Sequence, residues 1–285
     1  MGQCQHYLLS LHENFKTTMR RLTIILTLII AFFSITNADA QRRKVRARSK
    51  ARTHKVVKTK RKAPVRRIVP PTIHENPYLQ CEDTCTHVHG IDLSHYQGEV
   101  FWETVGENTH MAYVYLKATE GGDRIDARYE RNIDLAHRYG LKVGSYHFFR
   151  PRTCLQLQLE NFKTQCLPGE QDLIPMLDVE TTAGLPVNEF CDSLLQFLHM
   201  MEQTYHQKPL VYTGRNFYNK YLQGVLDDYL LMIAMYTDEE PVLADERDIC
   251  LWQYTGKGRI VGVTGYVDKS RFMGQHGLRE LRFKH

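Results

Sequence analysis

The sequence predicts an α/β fold, an irregular TIM-like (β/α) barrel with eight strands and fewer than eight helices. Three observations point there. Short apolar runs rich in β-branched and aromatic residues recur eight times between Val88 and Val267, with helical patterns between several of them. Run after run gives way at its C-terminal end to a carboxylate or an aromatic ring, as strands opening on one barrel mouth would. The connections between the last runs leave little room for helices, so the barrel is expected to lose its regularity there.

In chain order the expected strands are 88–94, 111–118, 142–149, 172–180, 209–214, 229–236, 249–255 and a short one at 265–267. Helices are expected over 126–139, where Tyr129, Ile133 and Ala136 share a face, and over 155–165, where Leu155, Leu159 and Phe162 do. A long amphipathic helix is expected over 187–206.

Composition divides the chain into three zones. Arg20 and Arg21 precede the apolar run Leu22–Phe33, which is followed by Ala38-Asp39-Ala40, so residues 1–40 read as a signal peptide cut before Gln41. The run is shorter than the roughly 20 residues of a spanning helix, although an uncleaved anchor is the alternative. Residues 41–71 are a basic linker: 14 Lys and Arg fall between Arg42 and Arg67 with no Asp or Glu. Such self-repulsion disfavours folding and suits attachment to an anionic envelope surface. No aromatic residue interleaves the charge, so nucleic acid is not the expected partner. Residues 72–285 form the barrel domain, expected to be a monomer, exported, and periplasmic, envelope-bound or extracellular. The formal net charge of +5 hides an acidic domain, since residues 71–285 hold 20 basic and 30 acidic residues. Six cysteines follow the signal peptide, an even number that permits disulfides or buried free thiols alike.

Reading each strand to its end collects Asp92, Glu120, Tyr146, His147, Asp178, Glu180, Tyr212, Trp252, Gln253, Tyr254 and Asp268. Asp178 and Glu180 are two apart on one strand, hence on one face, with Cα atoms about 6–7 Å apart. Two like charges at the edge of an apolar core raise at least one pKa and keep a protonated acid available near neutral pH. Glycoside hydrolysis uses such a pair. Surface acids or a divalent-metal pair would look the same in isolation.

The chain resembles glycoside hydrolase family 25, the muramidase-type lysozymes. The pieces that carry the resemblance are HGIDLSHYQG (89–98), YLKATEG (115–121), GLKVGSYHFFRP (140–151), PMLDVE (175–180), PLVYTG (209–214), LWQYTGKG (251–258) and GYVDKSRFMG (265–274), with NF (161–162) between them. They run in order across essentially the whole barrel domain. The resemblance implies an irregular eight-stranded barrel and cleavage of the β-1,4 bond between N-acetylmuramic acid and N-acetylglucosamine in peptidoglycan, without metal or organic cofactor. It implies Glu180 as general acid and Asp178 as its partner, assisting either the substrate's acetamido group or a water. Asp92 and Asp268 match further acids of the cleft, and Tyr146 and Tyr212 its aromatic and hydroxyl positions. Lys269 and Ser270 depart from the family's usual residues after Asp268, and Phe101 stands where an Asp is common.

Other readings compete at single positions. Trp252 and Tyr254 are candidate sugar platforms, but they alternate with Gln253, so either the rings or the amide faces the mouth. Lys117 and Glu120 suit a mutual ion pair. His87, His89, His95 and His147 lack metal-ligand spacing, so no metal is expected. A carbohydrate-binding barrel without turnover, or a hydrolase of another N-acetyl polysaccharide such as chitin, are the alternative functions.

Overall fold

The computed structural model describes residues 88–285. The signal peptide, the basic linker, Cys81, Cys85 and His87 lie outside the described residues.

Nine strands are present: β1 (His89–Leu93), β2 (Met111–Glu120), β3 (Arg124–Ile125), β4 (Lys142–Phe148), β5 (Met176–Asp178), β6 (Leu210–Gly214), β7 (Leu231–Ala234), β8 (Leu251–Gly258) and β9 (Val267–Phe272). They pair in the order β1-β9-β8-β7-β6-β5-β4-β2, and β1 also pairs with β2, which closes an eight-stranded barrel. The two-residue β3 is a hairpin partner on the end of β2. Five α-helices accompany them: α1 (Trp102–Gly106), α2 (Tyr129–Arg138), α3 (Leu155–Lys163), α4 (Val187–Tyr205) and α5 (Arg215–Tyr221). The fold is thus an irregular TIM-like barrel, as the sequence predicts.

The irregularity is sharper than a shortage of helices. Strands β1, β2 and β4 to β8 run parallel, but β9 is antiparallel to both neighbours. A parallel crossover needs about a dozen residues, usually a helix, and only 259–266 separate β8 from β9. The chain therefore turns back as a hairpin. This corrects the expectation of a strand at 265–267 whose C-terminal end meets the mouth. Asp268 reaches the mouth from near the N-terminal end of β9, paired in register with Asp92 of β1. Helices α1 and α5, each under two turns, carry too little periodicity to show in the sequence.

Two apolar clusters lie on the two sides of the strands. Alternate residues Val114, Leu116, Val143, Leu177, Val179, Val211 and Ile233 belong to the outer cluster, with the helices. The others, Tyr113, Tyr115, Met176, Leu210, Tyr212, Met232 and Leu251, form the barrel interior. Two tyrosines fit inside because their register partners are glycines. Gly90 pairs with Tyr113 and Gly144 with Tyr115, and a Cβ on either glycine would fall 2.0 or 2.3 Å from the ring. Helix α4 buries Phe190, Leu194, Phe197, Leu198, Met201 and Tyr205, one stripe at helical spacing. Each such side chain contributes at most about 1.5–3 kcal/mol. Its last turn ends at His206 in the left-handed conformation, φ 57°.

Candidate active site

The carboxyl ends of the parallel strands surround a cavity of about 210 Å³. Asp92, Tyr146, Asp178, Glu180, Tyr212 and Asp268 all line it. So do Gln253 and Lys117, together with Leu93, Ser94, Tyr96, Gln97, Phe148 and Met176. Six of the eight expected site residues are therefore brought together. Trp252 and Tyr254 are not among the lining residues. Trp252 is buried, its indole N–H donates to the Met235 carbonyl at 2.8 Å, and Arg271 stacks on its ring. The alternation along β8 is resolved in favour of the amide, because Gln253 follows Leu251 on the inner face while both rings take the outer one.

Gln253 organises one wall. Its Nε2 donates to Asp92 Oδ2 at 2.8 Å, while its Oε1 accepts from the Tyr212 hydroxyl at 3.0 Å and the Tyr236 hydroxyl at 2.7 Å. Burial, and then the charge of Asp268, push the Asp92 carboxyl up to about 8 despite the Gln253 hydrogen bond. Burial and then Glu180 push Asp268 up to about 6.

Asp178 ends β5 as a buried residue, and Glu180, two residues on, stands exposed at the rim. Desolvation and then Glu180 hold the Asp178 carboxyl well above the usual range, with Lys117 opposing. Desolvation also raises Glu180, against the pull of Lys117 and Arg150. One oxygen each of Asp178 and Asp92, Oδ1 in both, is buried with no hydrogen-bond partner among the described residues. A buried acceptor left without a donor costs about 1–3 kcal/mol, and both residues line the one cavity, so a bound hydrogen-bond donor that reached these oxygens would relieve the cost.

A fixed cationic edge lies beside these acids. Glu120 accepts from Lys117 Nζ at 2.7 Å, Arg150 Nη2 at 2.6 Å and Arg124 Nη1 at 2.8 Å. Burial alone would raise Glu120, but Lys117 and Arg150 win and hold its carboxyl at about 2. Both cations lie over the Phe148 ring, Lys117 Nζ 5.0 Å and the Arg150 guanidinium carbon 4.5 Å from its centroid. The expected Lys117–Glu120 pair is present, and it also sets Lys117 at the cavity wall. After Glu180, Arg152 donates to the carbonyls of Ala183 at 2.7 Å and Gly184 at 3.1 Å, fastening the loop that follows the acid.

His147 faces away from the cavity. It is buried, with Nδ1 2.7 Å from Thr119 Oγ1 and Nε2 3.2 Å from Gln158 Oε1, and burial lowers its pKa to about 4. His95 Nδ1 pairs with Asp126 at 2.7 Å. Lys269 and Ser270 are buried away from the cleft, Ser270 Oγ lying 2.9 Å from the Tyr113 hydroxyl. Cys166, Cys191 and Cys250 are free thiols, whereas Cys154 is disulfide-bonded. Of the lining residues that strand ends do not announce, Ser94 and Gln97 carry a legible signal, the S-x-x-Q spacing of a capping box, which the structure forms. Met176 is in phase with Asp178, and Lys117 with Tyr113 and Tyr115.

Comparison with known proteins agrees with the fold. Residues 91–263 match the model of the glycosyl hydrolases family 25. The chain is 31% identical over 191 residues to the uncharacterized protein YegX of Escherichia coli K12, covering 66% of this chain and 70% of that one. It is 27% identical over 201 residues to Lysozyme M1 of Streptomyces globisporus, covering 66% and 68%. The crystal structure of a bacterial lysozyme from Streptomyces coelicolor superimposes with a TM-score of 0.62 at 27% identity, covering 69% of this chain and 96% of that one.

Proposed function

The chain belongs to glycosyl hydrolases family 25, a peptidoglycan-hydrolysing muramidase family, and from that premise we propose that it is exported and cleaves the β-1,4 bond between N-acetylmuramic acid and N-acetylglucosamine. Glu180 is the general acid and Asp178 the residue that orients the reacting sugar. The observation that carries the reading is the buried, unpartnered Oδ1 of Asp178 beside a rim carboxylate with a raised pKa.

The acids act in sequence. An acetamido N–H donating to Asp178 favours its ionised form. A second negative charge beside Glu180 then holds the proton on Glu180, where the departing glycosidic oxygen needs it. The acetamido oxygen, aimed by Asp178, attacks the anomeric carbon as Glu180 gives its proton to the leaving sugar. Water, deprotonated by the same Glu180, then opens the cyclic intermediate with retention of configuration. Asp92 and Asp268 bind hydroxyl or amide donors of the glycan, with Tyr146 and Tyr212 beside them. Trp252 and Tyr254 are withdrawn from that role, since neither lines the cavity. The basic linker 42–67 holds the enzyme to the anionic envelope.

Reducing-sugar release from purified peptidoglycan and from chitin tests the reading. Release from peptidoglycan with retained anomeric configuration supports it. Comparable release from chitin would widen the substrate class, and binding without release would make the barrel a carbohydrate-binding module.

A further inference from the structure

A second cluster of chemically reactive side chains lies at the other end of β8. Cys250 immediately precedes that strand and is a buried free thiol. The segment after β9 folds back over it: Met273 N donates to the Cys250 carbonyl at 3.1 Å and His276 N to the Met273 carbonyl at 3.0 Å. These bonds bring His276 and Glu280 to the thiol, and one ligand atom from each of the three residues lies within 4.8 Å of the other two. His276 Nδ1 is 2.6 Å from Glu280 Oε2, and its Nε2 is 2.7 Å from Asp248 Oδ2. Gly277 N also donates to Glu280 Oε2, at 3.3 Å.

An imidazole between two carboxylates is a complete ion-pair arrangement that needs no sulfur. The buried thiol adds a soft donor to a nitrogen and an oxygen. Thiolate with imidazole selects zinc over magnesium or calcium, which prefer all-oxygen sets. The distances fit with little movement. Zinc bonds of about 2.3 Å to sulfur and about 2.0–2.1 Å to nitrogen or oxygen put tetrahedral donors about 3.5 Å apart. Glu280 and His276, with side chains 39% and 17% exposed, can close that gap. Asp248, on the ring nitrogen opposite Glu280, stands where metal-bound histidines keep an orienting carboxylate.

We propose that Cys250, His276 and Glu280 bind one zinc ion, with Asp248 orienting His276 and water in the fourth position. The ion ties the C-terminal segment to the base of β8. That segment in turn supports the barrel floor through Ile174 N to the Leu281 carbonyl at 2.7 Å and Phe283 N to the Asp172 carbonyl at 2.8 Å. The role is structural and separate from glycan cleavage.

The test is titration of the chelator-treated full chain with zinc by calorimetry, followed by substitution with cobalt. One zinc per chain, a higher Tm, and a thiolate-to-cobalt charge-transfer band are expected. His276→Asn and Glu280→Gln should each weaken binding by about tenfold or more, and Asp248→Asn by about 10–100-fold. Cys250→Ser should abolish the band. If that buried substitution does not fold, the two more accessible positions, His276 and Glu280, decide the matter. Failure to bind zinc, unchanged affinity in His276→Asn and Glu280→Gln, or a cobalt complex without the band would each overturn the proposal.

Discussion

Replacing Glu180 by Gln keeps size and polarity but removes the proton that the leaving sugar needs. General acid catalysis is worth about 10²- to 10⁴-fold, or about 2.7–5.4 kcal/mol at 1.36 kcal/mol per decade. The fold should not suffer, because Glu180 is exposed and its neighbours Lys117 and Arg150 keep Glu120 as their hydrogen-bonded partner. Asp178→Asn loses something different. Its buried Oδ1 would be a neutral acceptor rather than an anion, and a hydrogen bond to a charged group is worth about 1.5–3 kcal/mol. The neutral bond that remains is itself worth about 0.5–1.5 kcal/mol, so the difference of about 1–1.5 kcal/mol is roughly a five- to thirteenfold loss, before any effect on the proton held by Glu180. Both losses should appear in kcat, measured as turbidity decrease of a cell-wall suspension. A soluble substrate with a good leaving group needs little protonation, so it should rescue Glu180→Gln far more than Asp178→Asn. Near-normal lysis by Glu180→Gln, or equal rescue of both variants, would refute the separate roles.

Three further outcomes are expected. Asp92 is held near 8 in the fold against an ordinary 3.8, so the folded state binds its proton more tightly than the unfolded chain. The stability this contributes is full below about pH 4 and lost as pH rises towards 8; urea midpoints at pH 5 and pH 8 should diverge less in Asp92→Asn than in the wild type. Gly144→Ala puts a Cβ 2.3 Å from Tyr115 Cε1 in a sealed interior, an overpacking that should cost about 1–3 kcal/mol, and an unchanged denaturation midpoint would contradict the packing described. A truncated protein beginning at Thr72 should bind anionic envelopes more weakly at low salt while cutting soluble glycan at the same rate, because 14 linker cations act only through screened attraction.

Local spacing along single strands was legible in the sequence. The period of two puts Met176 and Asp178 on one face of β5 whatever surrounds them, although Glu180 lies just past the end of that strand, and the helical spacing of Phe190, Leu194, Phe197 and Met201 identifies a buried stripe without knowledge of what covers it. The motifs also carry the family, and with it the barrel. Phase and direction were not legible. Gln253 and the pair Trp252 and Tyr254 satisfy the same alternation, and only closure of the barrel decides which set turns inward. Asp268 meets Asp92 because β9 runs backwards, a consequence of a loop too short for a crossover rather than of any pattern within the strand. Lys117 and Arg150 become the cationic edge of the site only where Glu120 gathers them, and Cys250, His276 and Glu280 meet only after the last segment folds under β8. Backbone periodicity acts between neighbours along the chain, so one sequence is enough to display it. Which side chains converge across a barrel depends on strand order, direction and register, and those are set by the packing of the whole domain.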